Sequence, residues 1–382
     1  MRAPLGWKQL WHKPVRLAIA LMGIAFAVLL IMMQLGFREA LFESAVRFHE
    51  RFDYDVALFS PNSVFIVRPE GFSIRRVYQA LGDEGVASVT PVYIFPAIWK
   101  NPWGEGRRSL NAVGFDPDAA ILNTPGFDVA RQQLKKRDVV IFDAASRPEF
   151  GDVRAHFEAG ERIRTEINNR EVQVVGLFEM GTSFGIDGTV MMSTDNWLRL
   201  FPDRSRNEVQ LGLLKIEPGA DPDLVVASLK ETLPRDVLVM TKAEFVERET
   251  SYWNRATPIG YVFAFGAIMG LFVGAIIVYQ ILFADVTEHL NEYATLRAIG
   301  YKNRFIAGIV LQQATILGVF GFIPGVAASW FLYAQAAAAT SLPLYVTPER
   351  ATLVFFLTLA MCAISALLAV RKVAMIDPAE VF

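Results

Sequence analysis

Chemistry-bearing side chains are scarce in this chain. Its 382 residues include one cysteine, Cys362, and four histidines. One cysteine cannot close an intrachain disulfide, so cysteine usage does not reveal the redox compartment. Scattered histidines and a cysteine inside an apolar run argue against a structural zinc site. The sequence has no GxxxxGKS/T, HExxH or GxSxG pattern, hence no catalytic signature. His49, His156 and His289 read as surface residues. Asp53 and Asp55 in FDYDV have aromatic and apolar neighbours and read as a strand edge, not an acid/base pair. A net charge of -2 gives no footprint for nucleic acid.

Charge is missing altogether from four long stretches: Leu17–Phe37, Ala256–Ala284, Phe305–Pro348 and Ala351–Val370. About 20 apolar residues are enough for a helix to cross a bilayer. The first stretch is longer than the apolar core of a signal peptide. No small-x-small site follows it closely, so it reads as a retained anchor. The second carries Gly260, Gly266, Gly270 and Gly274, a small-residue strip of the kind that lets helices approach closely in lipid. The third is too long for one span. It is expected to cross as far as about Tyr333 and return through a proline-broken turn. The fourth starts at Thr347-Pro348-Glu349, a cap with proline in the first turn. Inside the spans the main polar residues are Gln34, Gln280, Gln312, Gln313 and Gln335. They suit helix contacts and argue against an ion-coupled pump that works alone.

Basic residues set the orientation. Arg2, Lys8, Lys13 and Arg16 precede the first span. Arg297, Lys302 and Arg304 lie between the second and third, and Arg371 and Lys372 follow the fourth. Only Arg350 lies between the third and fourth. Both termini and the 285–304 segment are therefore expected in the cytoplasm. The large domain is expected on the other side.

That domain, 38–255, reads as α+β with two lobes and a break near 120–150. FDYDVALFS and RRSLNAVGF look like strands. ERIRTEINNREVQVVGLFEM looks like a hairpin turning at Asn-Asn-Arg. GTVMMSTDNWLRLF is a strand entering a helix capped by Thr194 or Asp195. The helices entering and leaving the domain read as stalks continuous with spans one and two. The 285–306 segment, DVTEHLNEYATLRAIGYKNRFI, is an amphipathic helix, acidic early and basic late. Leu290, Tyr293 and Leu296 or Arg297 lie near one face, and Gly300 ends it. A charged surface helix with an exposed aromatic reads as a docking element for a partner rather than a plain connector.

The one-plus-three spans, EYATLRAIGYKNRFI, the ending RKVAMIDPAEVF and the start GWKQLWHKPVRLAIALMGIAFAV together resemble the FtsX-like or MacB-like permeases of ABC transporters. The chain is most like the DevC-type exporter permeases. The resemblance covers nearly its whole length. It implies a non-catalytic permease subunit of an export complex, in which two copies pair with two copies of a separate ATP-binding subunit. The chain itself would need no cofactor, ATP being bound by the partner. Glu288, Glu292, Leu296, Arg297, Gly300 and Tyr301 would form the coupling helix that docks the ATPase. In tripartite members the outer domain engages a periplasmic adaptor and an outer-membrane channel. The alternative role within the same superfamily is a regulator or scaffold that activates a cell-wall hydrolase or extracts lipoproteins. A membrane-anchored enzyme is disfavoured by the absent motifs.

The resulting expectation is an inner-membrane protein with a cytoplasmic amphipathic helix (1–16), a span (17–37) and a periplasmic domain with stalk helices (38–255). A second span (256–284), the coupling helix (285–304) and a third span (305–333) follow. A short periplasmic loop (334–350), a fourth span (351–370) and a cytoplasmic tail (371–382) complete it.

Overall fold

The computed structural model describes residues 14–374 apart from 65, 67–68, 120, 123–126, 184 and 257. Most of the expected 1–16 helix, and the tail beyond 374, lie outside the described residues. Along the chain, α1 (Pro14–Arg51) leads to β1 (Val56–Phe59), β2 (Phe72–Ser73), α2 (Arg75–Ala80), β3 (Val86–Lys100) and β4 (Arg107–Phe115). Next come α3 (Phe127–Arg131), β5 (Val139–Asp143), α4 (Val153–Glu158), β6 (Arg164–Ile167), β7 (Arg170–Phe178) and β8 (Thr189–Ser193). Then follow α5 (Thr194–Leu200), β9 (Glu208–Val209), β10 (Leu211–Ile216), α6 (Pro222–Thr232), β11 (Leu238–Thr241) and α7 (Lys242–Ser251). The chain ends in α8 (Pro258–Glu288), α9 (Leu290–Ala298), α10 (Asn303–Thr340) and α11 (Pro348–Ala374). Two compact units result. One is helical: residues 1–40, 258–339 and 344–382. The other comprises 41–257 with 340–343.

The second unit has two lobes. In the first, β11-β1-β10-β3 form an antiparallel sheet, joined as β1-α2-β3 and β10-α6-β11. This is the split βαβ arrangement. The second lobe is inserted between β3 and β10. There the end of β3 pairs with β4, and β8, β5, β7 and β6 follow. Trp99 opposite Ile167 brings β6 back to β3, so the strands close on themselves. The expected break near 120–150 therefore does not divide the lobes. β5 lies inside that interval and pairs with β7 and β8 of the same lobe. The lobes meet within β3, whose first half pairs with β10 and second half with β4.

Local chemistry accounts for the joints. Asn168 and Asn169 turn the β6–β7 hairpin at φ 48° and 62°. Asparagine tolerates this left-handed region, which suits the twist of a two-residue turn. Ser193, not Thr194 or Asp195, caps α5 and accepts from the Asn196 N–H. It occupies the last extended position, which a cap requires. Thr241 and Glu244 close a capping box on α7. The indoles of Trp99 and Trp197 are buried, and each donates to a backbone carbonyl, of Phe150 and Ala112.

Among the described residues, four helices of the helical unit are long and apolar enough to cross a membrane. α10 runs beyond the expected end near Tyr333, to Thr340. Its Ala-Gln-Ala-Ala-Ala-Ala stretch has high helix propensity, and the chain turns only at Ser341, with φ 57°. Thr347 accepts from the Arg350 N–H and Pro348 is the first residue of α11, as its sequence suggests.

α1 packs against two glycine strips on neighbouring faces. On one face, a Cβ at Gly274 would sit 2.6 Å from the Ala27 Cβ, and one at Gly270 3.2 Å from Ile31. Gly266 lies against the Gln34 side chain. On the other face, a Cβ at Gly321 would meet Ile24 at 2.6 Å and one at Gly325 would meet Val28 at 2.7 Å. These pairings make α1 antiparallel to α8 and parallel to α10. Gly260 is buried as well. The α10 strip was not singled out in the sequence, where its proline and aromatic neighbours mask the four-residue spacing.

Gly325→Ala places a methyl 2.9 Å from the Ala25 carbonyl oxygen, a backbone atom that cannot rotate away. It should lower the stability of the detergent-solubilised protein by about 1–3 kcal/mol in thermal melts. Gly308→Ala on the same helix meets nothing within 4 Å and should be neutral.

Candidate functional site

The helical unit ends, on one side, in a short connected segment. α8 continues past its apolar part through Asp285 to Glu288. α9 follows, and Gly300 stops it with φ 105°. The Tyr301 N–H returns to the Leu296 carbonyl at 3.0 Å, the six-to-one bond of a Schellman cap. Tyr293 is buried and Leu296 half-buried, while Asn291, Glu292 and Thr295 are exposed. α9 is thus two-faced. Ile299, 71% exposed, and Tyr301, 46% exposed, form an apolar tip beside the cap. The Tyr301 ring packs on Phe305, with centroids 4.5 Å apart. Ile299 was missed in the sequence because it follows the helix and belongs to no face. The Arg297 side chain lies outside what is described.

Behind this segment sits a polar cluster. Arg16 of α1 donates to Glu288 at 2.9 Å and to the Ile281 carbonyl at 3.2 Å, and lies 3.8 Å from Asp285. Asp285 is buried and accepts from Gln313 of α10 at 3.0 Å. The His289 ring nitrogen lies 2.9 Å from the Asp285 carbonyl. The expected charge-free spans thus end, as helices, in ionisable residues. A second cluster lies toward the other end of α1. Arg350, buried, reaches Glu39 at 2.9 and 2.5 Å, the Tyr345 carbonyl at 2.8 Å and the Tyr333 hydroxyl at 3.3 Å. The Tyr333 hydroxyl also donates to the Met32 carbonyl.

In the α+β unit a cleft of about 1030 Å³ opens between the lobes, lined in part by Tyr78, Thr90, Asp116, Arg206 and Lys215. Asp53 and Asp55 converge on Lys215 at 2.9 and 3.2 Å, whose one charge they share. His49 is not on the surface as expected. It is buried, 2.5 Å from the Tyr54 hydroxyl, with its ring against Phe245. The helix that carries it passes under the first lobe's sheet, so its polar-looking stretch has one apolar side. His156 stacks on Trp103 and pairs with Glu161 at 2.9 Å. Burial pushes the Asp143 carboxyl up to about 6, against backbone donors at Met180, Ala145 and Gly181. Burial likewise pushes Glu249 up to about 7, opposed by the Ile66 N–H at 2.6 Å. Among the described residues no group of three histidine, cysteine or carboxylate side chains is placed to hold a metal.

Four apolar helices joined to a two-lobed α+β unit define a membrane protein with one large domain outside the hydrocarbon, built as a transporter permease. The family of the MacB-like periplasmic core domain matches residues 17–232, and that of the FtsX-like permease C-terminal matches 264–378. The first covers more than half of the chain, which therefore belongs to the MacB/FtsX-type permeases and is an ABC transporter permease subunit. No curated protein matches the chain. Among solved structures, the periplasmic region of MacB from Actinobacillus actinomycetemcomitans is similar at 14% identity and TM-score 0.36, over 52% of this chain and 92% of that one. The extracellular domain of the ABC-type transporter YknZ from Gram-positive bacteria is similar at 12% identity and TM-score 0.33, over 49% and 98%.

The raised Glu249 carboxyl gives a pH signature. Folded, it keeps its proton to about pH 7; unfolded, it releases it near 4.5. Its stabilising contribution is therefore complete below pH 4.5 and lost as pH rises through about 7. Glu249→Gln should flatten the decline of melting temperature over that interval, measured on the full chain in detergent.

Proposed function

We propose that this permease subunit transmits ATP-driven motion of a separate ATPase subunit to its large outer domain, within an export complex. The observation that carries this reading is the α9 segment. It is short, two-faced, capped by Gly300, and presents Ile299 and Tyr301 outward. An exposed apolar tip on a rigid capped helix suits a partner's groove. Glu292 and Tyr301 are on the accessible side, whereas Leu296 is half-buried and supports the helix from beneath. Glu288 faces Arg16 and belongs to the link rather than to the docking surface.

The same reading puts both termini and α9 in the cytoplasm, because the basic residues flank those ends. The protein then lies in the inner membrane with its core domain in the periplasm. ATP is held by the partner, and the chain carries no cofactor and no catalytic role. Two copies act together, and a periplasmic adaptor and an outer-membrane channel complete a tripartite assembly, as the DevC-like features suggest.

Tyr301→Asp puts a charge into the apolar tip without touching a buried side chain. It should weaken ATPase binding by about 2 kcal/mol or more, roughly thirtyfold, in titrations of the nanodisc-embedded protein. The melting of the periplasmic domain should not change. Unaltered binding would remove α9 from the docking role.

A further inference from the structure

We propose that Asp285 is a positioning residue that divides the movement of α9 between two membrane helices, handing it to α1 through Arg16 and to α10 through Gln313. The inference rests on the docking reading above and adds a route for the motion.

A carboxylate buried at the end of an apolar helix is costly unless it is paired and hydrogen-bonded. Asp285 is 8% exposed and satisfies both requirements with groups from two other helices. One oxygen lies 3.8 Å from the Arg16 guanidinium and the other accepts from Gln313 at 3.0 Å. Gln313 is itself fully buried. The pairings of α1 with α8 and α10 explain why these three residues meet. Going one way along α1, Gly274 faces Ala27, Gly270 faces Ile31 and Gly266 faces Gln34. The same step in reverse brings Asp285 to the level of Arg16. Along the parallel pair, Gly325 meets Val28 and Gly321 meets Ile24, and the same offset brings Gln313 to that level.

Asp285 is also tied to α9. The His289 N–H and its ring nitrogen lie 3.2 and 2.9 Å from the Asp285 carbonyl, and the Tyr293 N–H continues to the His289 carbonyl at 3.1 Å. Tyr293 is the buried side of α9. A push on the exposed tip therefore reaches the Asp285 backbone through an unbroken hydrogen-bonded turn. It leaves through the Asp285 side chain along two separate arms. Arg16 adds a second grip on the same helix end through Glu288 and the Ile281 carbonyl.

The arms can be cut one at a time. Asp285→Asn removes the charge that holds Arg16 but leaves an oxygen for Gln313. Gln313→Leu removes the α10 arm and leaves the carboxylate for Arg16. The full chain, with Cys362→Ala and in complex with the ATPase subunit that co-purifies with it, is spin-labelled in nanodiscs. One label pair is Ile19 and Leu367, reporting α1 against α11; the other is Leu311 and Leu367, reporting α10 against α11. All three positions are exposed. In the parent complex, ATP trapping shifts both distances. Asp285→Asn should reduce the α1 shift, Arg16 keeping a hold through Glu288 and the Ile281 carbonyl, and spare the α10 shift; Gln313→Leu should reduce the α10 shift and spare the α1 shift, with ATPase binding unchanged in both. A variant that merely loosens the bundle would reduce both shifts together, and that result overturns the proposal, as does an unchanged pair of shifts. If either variant fails to assemble, Arg16→Gln, at the partly exposed end of the α1 arm, gives the same decision on the α1 shift. A parent complex with no associated ATPase, or with no ATP-dependent shift, refutes the docking reading itself.

Discussion

The helical unit depends on how closely α1 can approach its neighbours. In lipid there is little hydrophobic drive for helices to associate, so contact has to come from packing and polar bonds. Glycines on α8 and α10 bring their backbones against two neighbouring faces of α1, and larger residues on α1 fill the space. Ile24, Ala27, Val28 and Ile31 are all buried in these contacts. The seam sets the level of every residue along it, including the polar ones at either end. Arg16, Asp285 and Gln313 meet at one end, and Arg350 with Glu39 and Tyr333 toward the other. The central stretch of α1 between the two clusters is apolar.

The periplasmic domain solves a different problem. One lobe is a split βαβ sheet, and the other is a closed set of strands inserted between its β3 and β10. β3 belongs to both, which couples them through a single backbone. Paired polar groups are spread over the second lobe: Arg108 with Asp187 and Glu149, Arg170 with Asp138, and Lys100 with Glu166. Such exposed pairs add little stability individually and keep the surface solvated. The informative polar groups in this domain are instead buried ones. Asp143 gathers three backbone N–H groups into its lobe, and Glu249 fastens the segment at Ile66 to α7.

Much of this was legible in the sequence, because the determining physics is local. Long uncharged runs have few folded solutions other than spans, and the Asn-Asn hairpin and the Gly300 stop follow from backbone preferences. The α8 glycines could be read from their spacing alone. The family resemblance rested on the same local strings and agrees with the families matched. Other features were not legible because they depend on which distant residues meet. His49 looks polar in its own helix and is buried by Phe245, from the far end of the domain. The lobe boundary was misplaced because a closing pair, Trp99 with Ile167, leaves no trace in either strand. Asp285 reads in the sequence as the first residue of the coupling helix, since nothing near it announces Gln313 or Arg16.

Sequence alone determined that the chain crosses the membrane four times in a one-plus-three order and carries a large α+β domain. Those properties follow from charge density and from hydrogen bonding that each segment must satisfy within itself. Tertiary structure alone decided which ends of the helices meet through polar contacts. A buried carboxylate acquires its role from partners supplied by other helices, and that pairing exists only once the seam around α1 has formed.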